Sequence, residues 1–269
     1  MSIQAVDNTS PSIQRRHCIQ NPDANFFSDF KAAYARYQSD SSSTASASAD
    51  APPNSTADNR QNSSASGLAD VMGLTFTELA AIRGTAANDQ TAYAGILNRA
   101  YGQNGMDDPV AFLKSLSPQE QSVVQRVHSL VKPIDPSMMT KEGAYNLLLP
   151  DGYQVDFNHD GIQEVGAAKT ITFPPVDAPE QLRQAWQTAT QNMDEKDRML
   201  YQMNMHIMMY GIHINNQPDR TLAAADQIGS CRLGLDKALA WLEYTKASLS
   251  AEQYRRDKAF FSDMKRSLA

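Results

Sequence analysis

Residues 39–66 contain no Val, Ile, Leu, Met, Phe, Trp, Tyr or Cys, and most of them are Ser, Ala, Asn or Asp. Such a stretch has too little apolar surface to offset the conformational entropy that it would lose on folding. We therefore predict a disordered linker over residues 39–66. The linker divides the 269-residue chain into an N-terminal arm, residues 1–38, and a helical globular domain, residues 67–269.

The N-terminal arm is mostly polar, with one aromatic-rich stretch at residues 25–38. Its aromatic residues recur at helical spacing, which predicts a short helix: Phe26, Phe27, Phe30, Tyr34 and Tyr37. We expect this helix either to dock on a partner protein or to pack back on the globular domain. The rest of the arm is predicted to be disordered, and its Ser/Thr/Asn/Gln-rich start resembles the uncleaved signals of type III or flagellar export substrates.

From Gly67 onward, apolar residues recur every three or four positions, which predicts a mainly α fold, an irregular bundle of about seven to eight helices. Ser117 begins a capping box with Glu120, and Asp194 and Ser250 are further candidate N-caps. One helix is expected over about residues 135–149 and a long one over about residues 222–247.

The segment after Pro150 has a different pattern. Tyr153, Val155 and Phe157 alternate with polar residues, and residues 170–173 have a similar character. Alternation of this kind predicts a short strand or an extended arm. The globular domain is therefore expected to contain a short extended or β segment on each side of one polar loop, residues 156–164.

This loop carries oxygen-bearing side chains at alternate positions. Asp156, Asn158 and Asp160 occupy its first, third and fifth positions, and Gly161 follows at the sixth, where a sharp turn is needed. Calcium is a hard cation that takes about six to eight oxygen ligands, and a coiled loop delivers them from alternate residues. The pattern therefore predicts a calcium site.

Two further ligands are expected at the end of the loop: the backbone carbonyl at position seven, and the Glu side chain at position nine, directly or through water. The arrangement resembles the first half of an EF-hand loop and the related loops of dockerin-like and thrombospondin-like calcium modules. This resemblance covers only the loop. It implies a calcium ion bound by Asp156, Asn158, Asp160, Ile162 and Glu164.

The loop departs from the EF-hand pattern at two positions. Gln163 stands at position eight, where an EF-hand has an aliphatic residue, and Ala167 stands at position twelve, where it has a bidentate Glu. We expect Asp177, Asp151 or a more distant carboxylate to supply the missing oxygens. The alternative interpretation is a plain turn, because Asp, Asn and Gly dominate turns in general.

Other metal or redox sites have less support. Cys18 and Cys231 form no CxxC pair, and a disulfide between them is not supported by the sequence. The methionines between residues 199 and 209, near His206 and His213, are spread around the helix. They favour a flexible core helix over a copper site.

Composition and charge restrict the possible partners. The net charge is −6 and no basic tract occurs, so nucleic-acid binding has no electrostatic footprint. No apolar run approaches the ~18 residues that a membrane span needs. The N-terminus lacks the basic and apolar regions of a Sec signal peptide. We expect a cytoplasmic protein or one secreted without such a signal.

No nucleophile elbow and no phosphate-binding glycine loop is present. We interpret the chain as a bacterial-type, non-enzymatic calcium-binding helical protein, in which the ion is mainly structural. Two alternatives stay open. One is a secreted effector or export-associated protein whose N-terminal arm holds a signal and docks a partner. The other is an enzyme acting on cell-wall glycan that has no visible motif.

Overall fold

The chain is mainly α-helical in the computed structural model, which describes residues 21–46, 67–212 and 221–269. Over these residues it forms eleven α-helices, nine of them with at least seven residues, and one antiparallel hairpin of two strands. The prediction of a mainly α fold is confirmed. The described helices outnumber the predicted ones because breaks divide the apolar pattern; Gly73, for example, separates two helices with φ +87°.

The first six helices are α1 (Phe26–Ser46), α2 (67–72), α3 (Leu74–Arg83), α4 (Ala87–Gly102), α5 (Pro109–Ser115) and α6 (Pro118–Val127). The others are α7 (Lys141–Asn146), α8 (Glu180–Thr190), α9 (Glu195–Tyr210), α10 (Ala224–Thr245) and α11 (Ala251–Ser267). The strands are β1 (Ile162–Val165) and β2 (Ala168–Ile171), and 3₁₀ turns cover Pro136–Met138 and Lys246–Ser248.

The predicted helix starts at Ser117, Asp194 and Ser250 are confirmed, since each side chain accepts a hydrogen bond from a backbone N–H in the first turn of its helix. The helix predicted over residues 135–149 is divided into a 3₁₀ turn and α7. The reason is a new helix start at Thr140, whose hydroxyl accepts from the Gly143 N–H. Among the described helices, none combines the length and the apolar character that crossing a membrane requires.

The chain forms two compact units, the first of which comprises the described residues up to Gln103, residues 117–133 and residues 150–153. In this unit α1 packs on α4. The rings of Phe27 and Phe30 both lie 4.9 Å from the Tyr101 ring, measured between centroids. The aromatic helix therefore packs on another helix of the chain, which is the second of the two arrangements expected for it.

Helix α1 continues to Ser46, so helical structure extends past the predicted end of the arm at residue 38. Nucleation is the unfavourable step of helix formation, and an existing helix adds residues at little cost. The Ser39 hydroxyl also donates to the carbonyl oxygen of Ala35 at 2.7 Å. The remainder of the predicted linker, residues 47–66, and the predicted disordered start, residues 1–20, lie outside the described residues.

The second unit comprises residues 104–116, 134–149 and 154–269, of which residues 213–220 are not described. Its main core lies among α8, α9, α10 and α11, where α11 packs on α8 and α10, and α10 packs on α9. Met205 and Met209 are buried in this core, whereas Met199 and Met203 are exposed. The methionine-rich segment is therefore a core helix with one exposed face, in agreement with the favoured interpretation.

The polar loop precedes the hairpin instead of lying between two strands. Ile162 and Glu164 consequently belong to β1, which pairs with β2. Of the two forms predicted for the segment around Val155, a short strand or an extended arm, the strand does not form, because the Asn146 side chain occupies the backbone groups that a partner strand would need. Asn146 Oδ1 accepts from the Val155 N–H at 2.8 Å, and Asn146 Nδ2 donates to the Val155 carbonyl at 3.0 Å.

Helix α7 touches the hairpin turn backbone to backbone at Gly143. The Gly166 N–H donates to the Gly143 carbonyl oxygen at 2.8 Å. A Cβ atom added at position 143 would overlap the Gly166 carbonyl oxygen. The absence of a side chain at Gly143 thus sets the distance between α7 and the hairpin.

We expect Gly143→Ala to destabilise the protein, although Ala favours helices over Gly by about 1 kcal/mol. The new methyl group must displace the hairpin turn, and overpacking of this kind costs about 1–3 kcal/mol. Gly229→Ala in α10 is the matched control, because no atom lies within 4 Å of the added Cβ; it should stabilise by up to about 1 kcal/mol. Urea unfolding measures the change in the free energy of unfolding of each variant, which should have opposite signs. Equal effects would contradict the contact at Gly143.

Candidate metal centre

The loop places two buried carboxylates in one turn of backbone. Asp156 is 5% exposed and Asp160 is 8% exposed. Asp156 Oδ2 accepts from the Gly161 N–H at 2.8 Å and Oδ1 from the Asp160 N–H at 3.3 Å, while Asp160 Oδ1 accepts from the Ile162 N–H at 2.8 Å. Successive N–H groups therefore hold these two side chains on the inside of the turn.

The turn depends on two residues with positive φ. Gly161 adopts φ +74° and His159 adopts φ +54°. Gly161 also packs against the ring of Tyr210, where an added Cβ would lie 2.5 Å from Cε2. The glycine is required both by its backbone conformation and by this close approach.

Asn158, the third predicted ligand, lies beside Asp160. Its Oδ1 accepts from the Asp160 N–H at 3.2 Å, and its Nδ2 donates to Asp160 Oδ2 at 3.0 Å. The structure thus brings Asp156, Asn158 and Asp160 together, as the spacing predicted. Calcium would require Asn158 to present its amide oxygen, in place of its nitrogen, beside Asp160 Oδ2.

The predicted ligand Glu164 has other partners. It lies in β1, where its carboxylate accepts from the Thr140 hydroxyl and pairs with Lys169 Nζ at 2.6 Å. Its role as a ligand, and that of the Ile162 carbonyl, stay predictions. Asp151, one of the carboxylates expected to complete the site, is paired with Arg83 at 2.6 Å.

Glu142 joins the two ends of the loop and was not identified from the sequence. The residue is 6% exposed. Oε2 accepts from the Phe157 N–H at 2.9 Å, and Oε1 accepts from the Glu164 N–H at 3.1 Å. The sequence marks Glu142 only as an acidic residue in the first turn of a helix, which is a common position and carries no signal of this contact.

Asp177 contacts the loop at His159, from a segment that follows the hairpin. Its Oδ2 lies 2.8 Å from Nδ1 of His159, and its Oδ1 accepts from Gln227 Nε2 at 2.7 Å. The carbonyl oxygen of His159 also accepts from the Leu222 N–H at 2.9 Å. The loop is therefore attached to the beginning of α10 through both the side chain and the backbone of His159.

The carboxylates around the loop are crowded and largely excluded from water. Burial raises the pKa of Glu142 to about 7, and the nearby charges of Asp156 and Glu164 add to the effect. Burial likewise raises the pKa of Asp156 to about 6, together with the charges of Asp160 and Asp177. Both groups hold protons more tightly than an exposed carboxylate does, so this region favours a bound cation.

The residues present fit calcium better than a softer metal. Their donors are oxygens of carboxylates and an amide, which calcium prefers, and no thiolate is among them. In the described residues no group of three His, Cys, Asp or Glu side chains converges at metal-binding distance. Binding therefore requires side chains to rotate towards one point.

The other candidate ligands are His206 and Cys231, which are buried in helices, and Cys18 and His213, which the structure does not describe. His206 is buried and stacks on Tyr210, with ring centroids 5.0 Å apart. Cys231 is a buried free thiol, and burial raises its pKa to about 12.

We expect the chelator-treated protein to become more stable as the pH falls from about 8 to about 5. The pKa values of Glu142 and Asp156 are raised in the folded state, to about 7 and about 6. Their protonation therefore favours folding, and this contribution is lost as the pH rises through those values. The free energy of unfolding should increase by about 1–3 kcal/mol over this pH range, since one pKa unit corresponds to about 1.4 kcal/mol.

Urea unfolding across this pH range tests the assignment. Glu142→Gln should remove a large part of the pH dependence, whereas Glu252→Gln, at an exposed position in the first turn of α11, should leave it unchanged. If the free energy of unfolding of Glu142→Gln depends on pH as in the wild type, Glu142 is not the group responsible for the pH dependence.

Comparisons of the chain with protein-family models, with curated proteins and with solved structures found no match.

Proposed function

We propose that the chain binds calcium in the loop 156–164 and that the ion is mainly structural. The observation that carries this proposal is the pair of buried carboxylates, Asp156 and Asp160, held inside one turn by backbone N–H groups. A plain turn needs no second buried carboxylate. Burying a carboxylate costs free energy unless a cation or hydrogen bonds compensate it.

The balance of charge around the loop supports a cation. Acidic side chains from four separate segments lie at the loop or contact it: Glu142, Asp156, Asp160, Glu164 and Asp177. Lys169 pairs with Glu164 at the edge of this group, and its charge interacts with Glu142 and Asp160. A divalent ion at Asp156 and Asp160 would neutralise the charges that raise the pKa values of Asp156 and Glu142.

A structural role follows from the position of the loop. It connects α7 to β1 through Glu142 and connects the hairpin to α10 through His159. An ion that binds only the folded loop stabilises the protein by mass action, by about 2.7 kcal/mol at a hundredfold excess over the dissociation constant. Calcium is therefore expected to raise the melting temperature of the whole chain.

The test is a melting curve of chelator-treated protein with and without added calcium, supported by calorimetric titration. Calcium should raise the melting temperature of the wild type. Asp160→Asn should lose most of this shift, because it removes one negative charge but keeps an oxygen that can accept from the Ile162 N–H. Asp156→Ala combined with Asp160→Ala should abolish the shift.

Asp108→Asn is the matched control. Asp108 caps α5 and accepts from the Ala111 N–H at 3.0 Å, so the substitution makes the same chemical change in a similar backbone contact. Asn caps helices about as well as Asp, and this variant should keep the full calcium shift. No binding by the wild type in calorimetry, together with no calcium-dependent change in melting, would refute the proposed function.

The two alternative functions keep their own tests. An export signal would lie in residues 1–20, outside the described residues, and deletion of residues 1–66 followed by a secretion assay tests it. A glycan-acting enzyme would need a pair of available carboxylates. Glu142 and Glu164 line a depression of about 360 Å³. Both carboxylates already accept hydrogen bonds from other residues of the chain, so their contacts do not favour a catalytic role.

A further inference from the structure

Asp177 is a carboxylate from outside the loop that lies against it. It lies in the segment before α8, and its side chain is 9% exposed. Its two oxygens contact His159 at loop position four and Gln227 in α10, at 2.8 and 2.7 Å. Because a carboxylate oxygen has two lone pairs, it can keep such a hydrogen bond and still bind a cation.

Tyr210 is a second, independent feature of the same place. Its side chain is fully buried, and its hydroxyl has no hydrogen-bond partner among the described residues. The ring packs on Gly161, where an added Cβ would lie 2.9 Å from Cζ, the carbon that carries the hydroxyl. Buried hydroxyl groups nearly always have a hydrogen-bond partner. This hydroxyl therefore points to a ligand, or to a water on a ligand, beside the loop.

Burial raises the pKa of the Tyr210 hydroxyl, and the charges of Asp177, Asp156 and Asp160 add to the effect. The Tyr210 ring lies against Gly161, and Asp177 contacts His159, two positions earlier in the same loop. Calcium commonly takes ligands from such a mixture of loop and distant side chains.

The other carboxylates that sequence spacing allows are engaged elsewhere. Glu164 is held by Thr140 and Lys169, and Asp151 is held by Arg83. Ala167, at position twelve, has no side-chain oxygen. Of the two carboxylates named from the sequence to complete the site, Asp151 and Asp177, it is Asp177 that contacts the loop, through His159.

We propose that Asp177 supplies the carboxylate that the loop lacks at position twelve, and that the Tyr210 hydroxyl lies next to the bound ion. This inference rests on the proposed calcium function. The ion would then join the loop, the segment before α8, the end of α9 and the start of α10. The ligands of calcium would then come from residues that only the tertiary fold brings together, whereas an EF-hand takes them from one continuous loop of twelve residues.

The experiment compares the full-length wild type with Asp177→Asn in a calorimetric titration with calcium. The substituted amide has the shape of the carboxylate: its oxygen can accept from Gln227 Nε2 and its nitrogen can donate to His159 Nδ1, so both contacts have a replacement. We expect calcium binding at least tenfold weaker in Asp177→Asn, with an unchanged melting temperature in chelator. Asp194→Asn, which alters an N-cap of α9 by the same charge, should change the affinity less than twofold.

Terbium, a luminescent substitute for calcium that nearby tyrosines sensitise, tests the place of Tyr210. Tyrosine-excited terbium emission should fall severalfold in Tyr210→Phe, while calcium affinity measured by calorimetry changes less than threefold. Tyr244→Phe is the control, because Tyr244 is 84% exposed on α10. It should keep the wild-type emission.

The outcomes separate the two proposals. Wild-type calcium binding with equal affinities in Asp177→Asn and Asp194→Asn would overturn the role of Asp177 and leave the calcium function intact. Wild-type binding with unchanged terbium emission in Tyr210→Phe would overturn the location beside Tyr210. No calcium binding by the wild type would overturn the calcium function and this inference together.

Discussion

The hydrogen bonds from the Phe157 and Glu164 N–H groups to the Glu142 carboxylate are the constraint on which the candidate site depends. They close the loop at its second and ninth positions, from a helix that lies outside it. The contact of Gly143 with the hairpin turn brings that helix close enough for both bonds to form. This closure fixes the two ends of the turn whose N–H groups hold Asp156 and Asp160.

The same closure creates an electrostatic problem. The carboxylate that accepts both bonds is buried beside Asp156 and Glu164, and its pKa is raised to about 7. Hydrogen bonds from two N–H groups favour its charged form, but burial and the neighbouring charges outweigh them. The region therefore gains from any positive charge, whether it comes as protons at low pH or as a divalent ion at neutral pH. Protons and calcium should compete, since both act on one group of carboxylates.

The sequence was a good guide where the signal is local. The helical periodicity and the caps at Ser117, Asp194 and Ser250 predicted a mainly helical chain correctly, because a cap depends on a few neighbouring residues. The proximity of Asp156, Asn158 and Asp160 was predictable for the same reason. The alternation around Val155 left a strand and an extended arm open, since it cannot reveal that a distant Asn146 takes the backbone groups of Val155.

The rest of the site could not be predicted, because its contacts join residues far apart in the chain. Glu142 reaches Glu164 across 22 positions, and Asp177 reaches Gln227 across 50. Neither spacing has a sequence signature. The sequence does not mark Tyr210 either, because the surroundings of its hydroxyl are known only from the fold.

This dependence on distant residues bears on whether the ion would act as a switch or as a structural element. In an unfolded chain Glu142, Asp177 and Tyr210 are not near the loop, so a site that uses them does not exist before folding. The free energy of ion binding at such a site is then part of the free energy of folding. A switch instead needs two folded states that differ in affinity for the ion. The loop backbone is held at both ends by Glu142 of α7 and at its middle by Asp177 and the Leu222 N–H. A loop fixed by so many contacts with the folded chain favours stabilisation by a bound ion over switching.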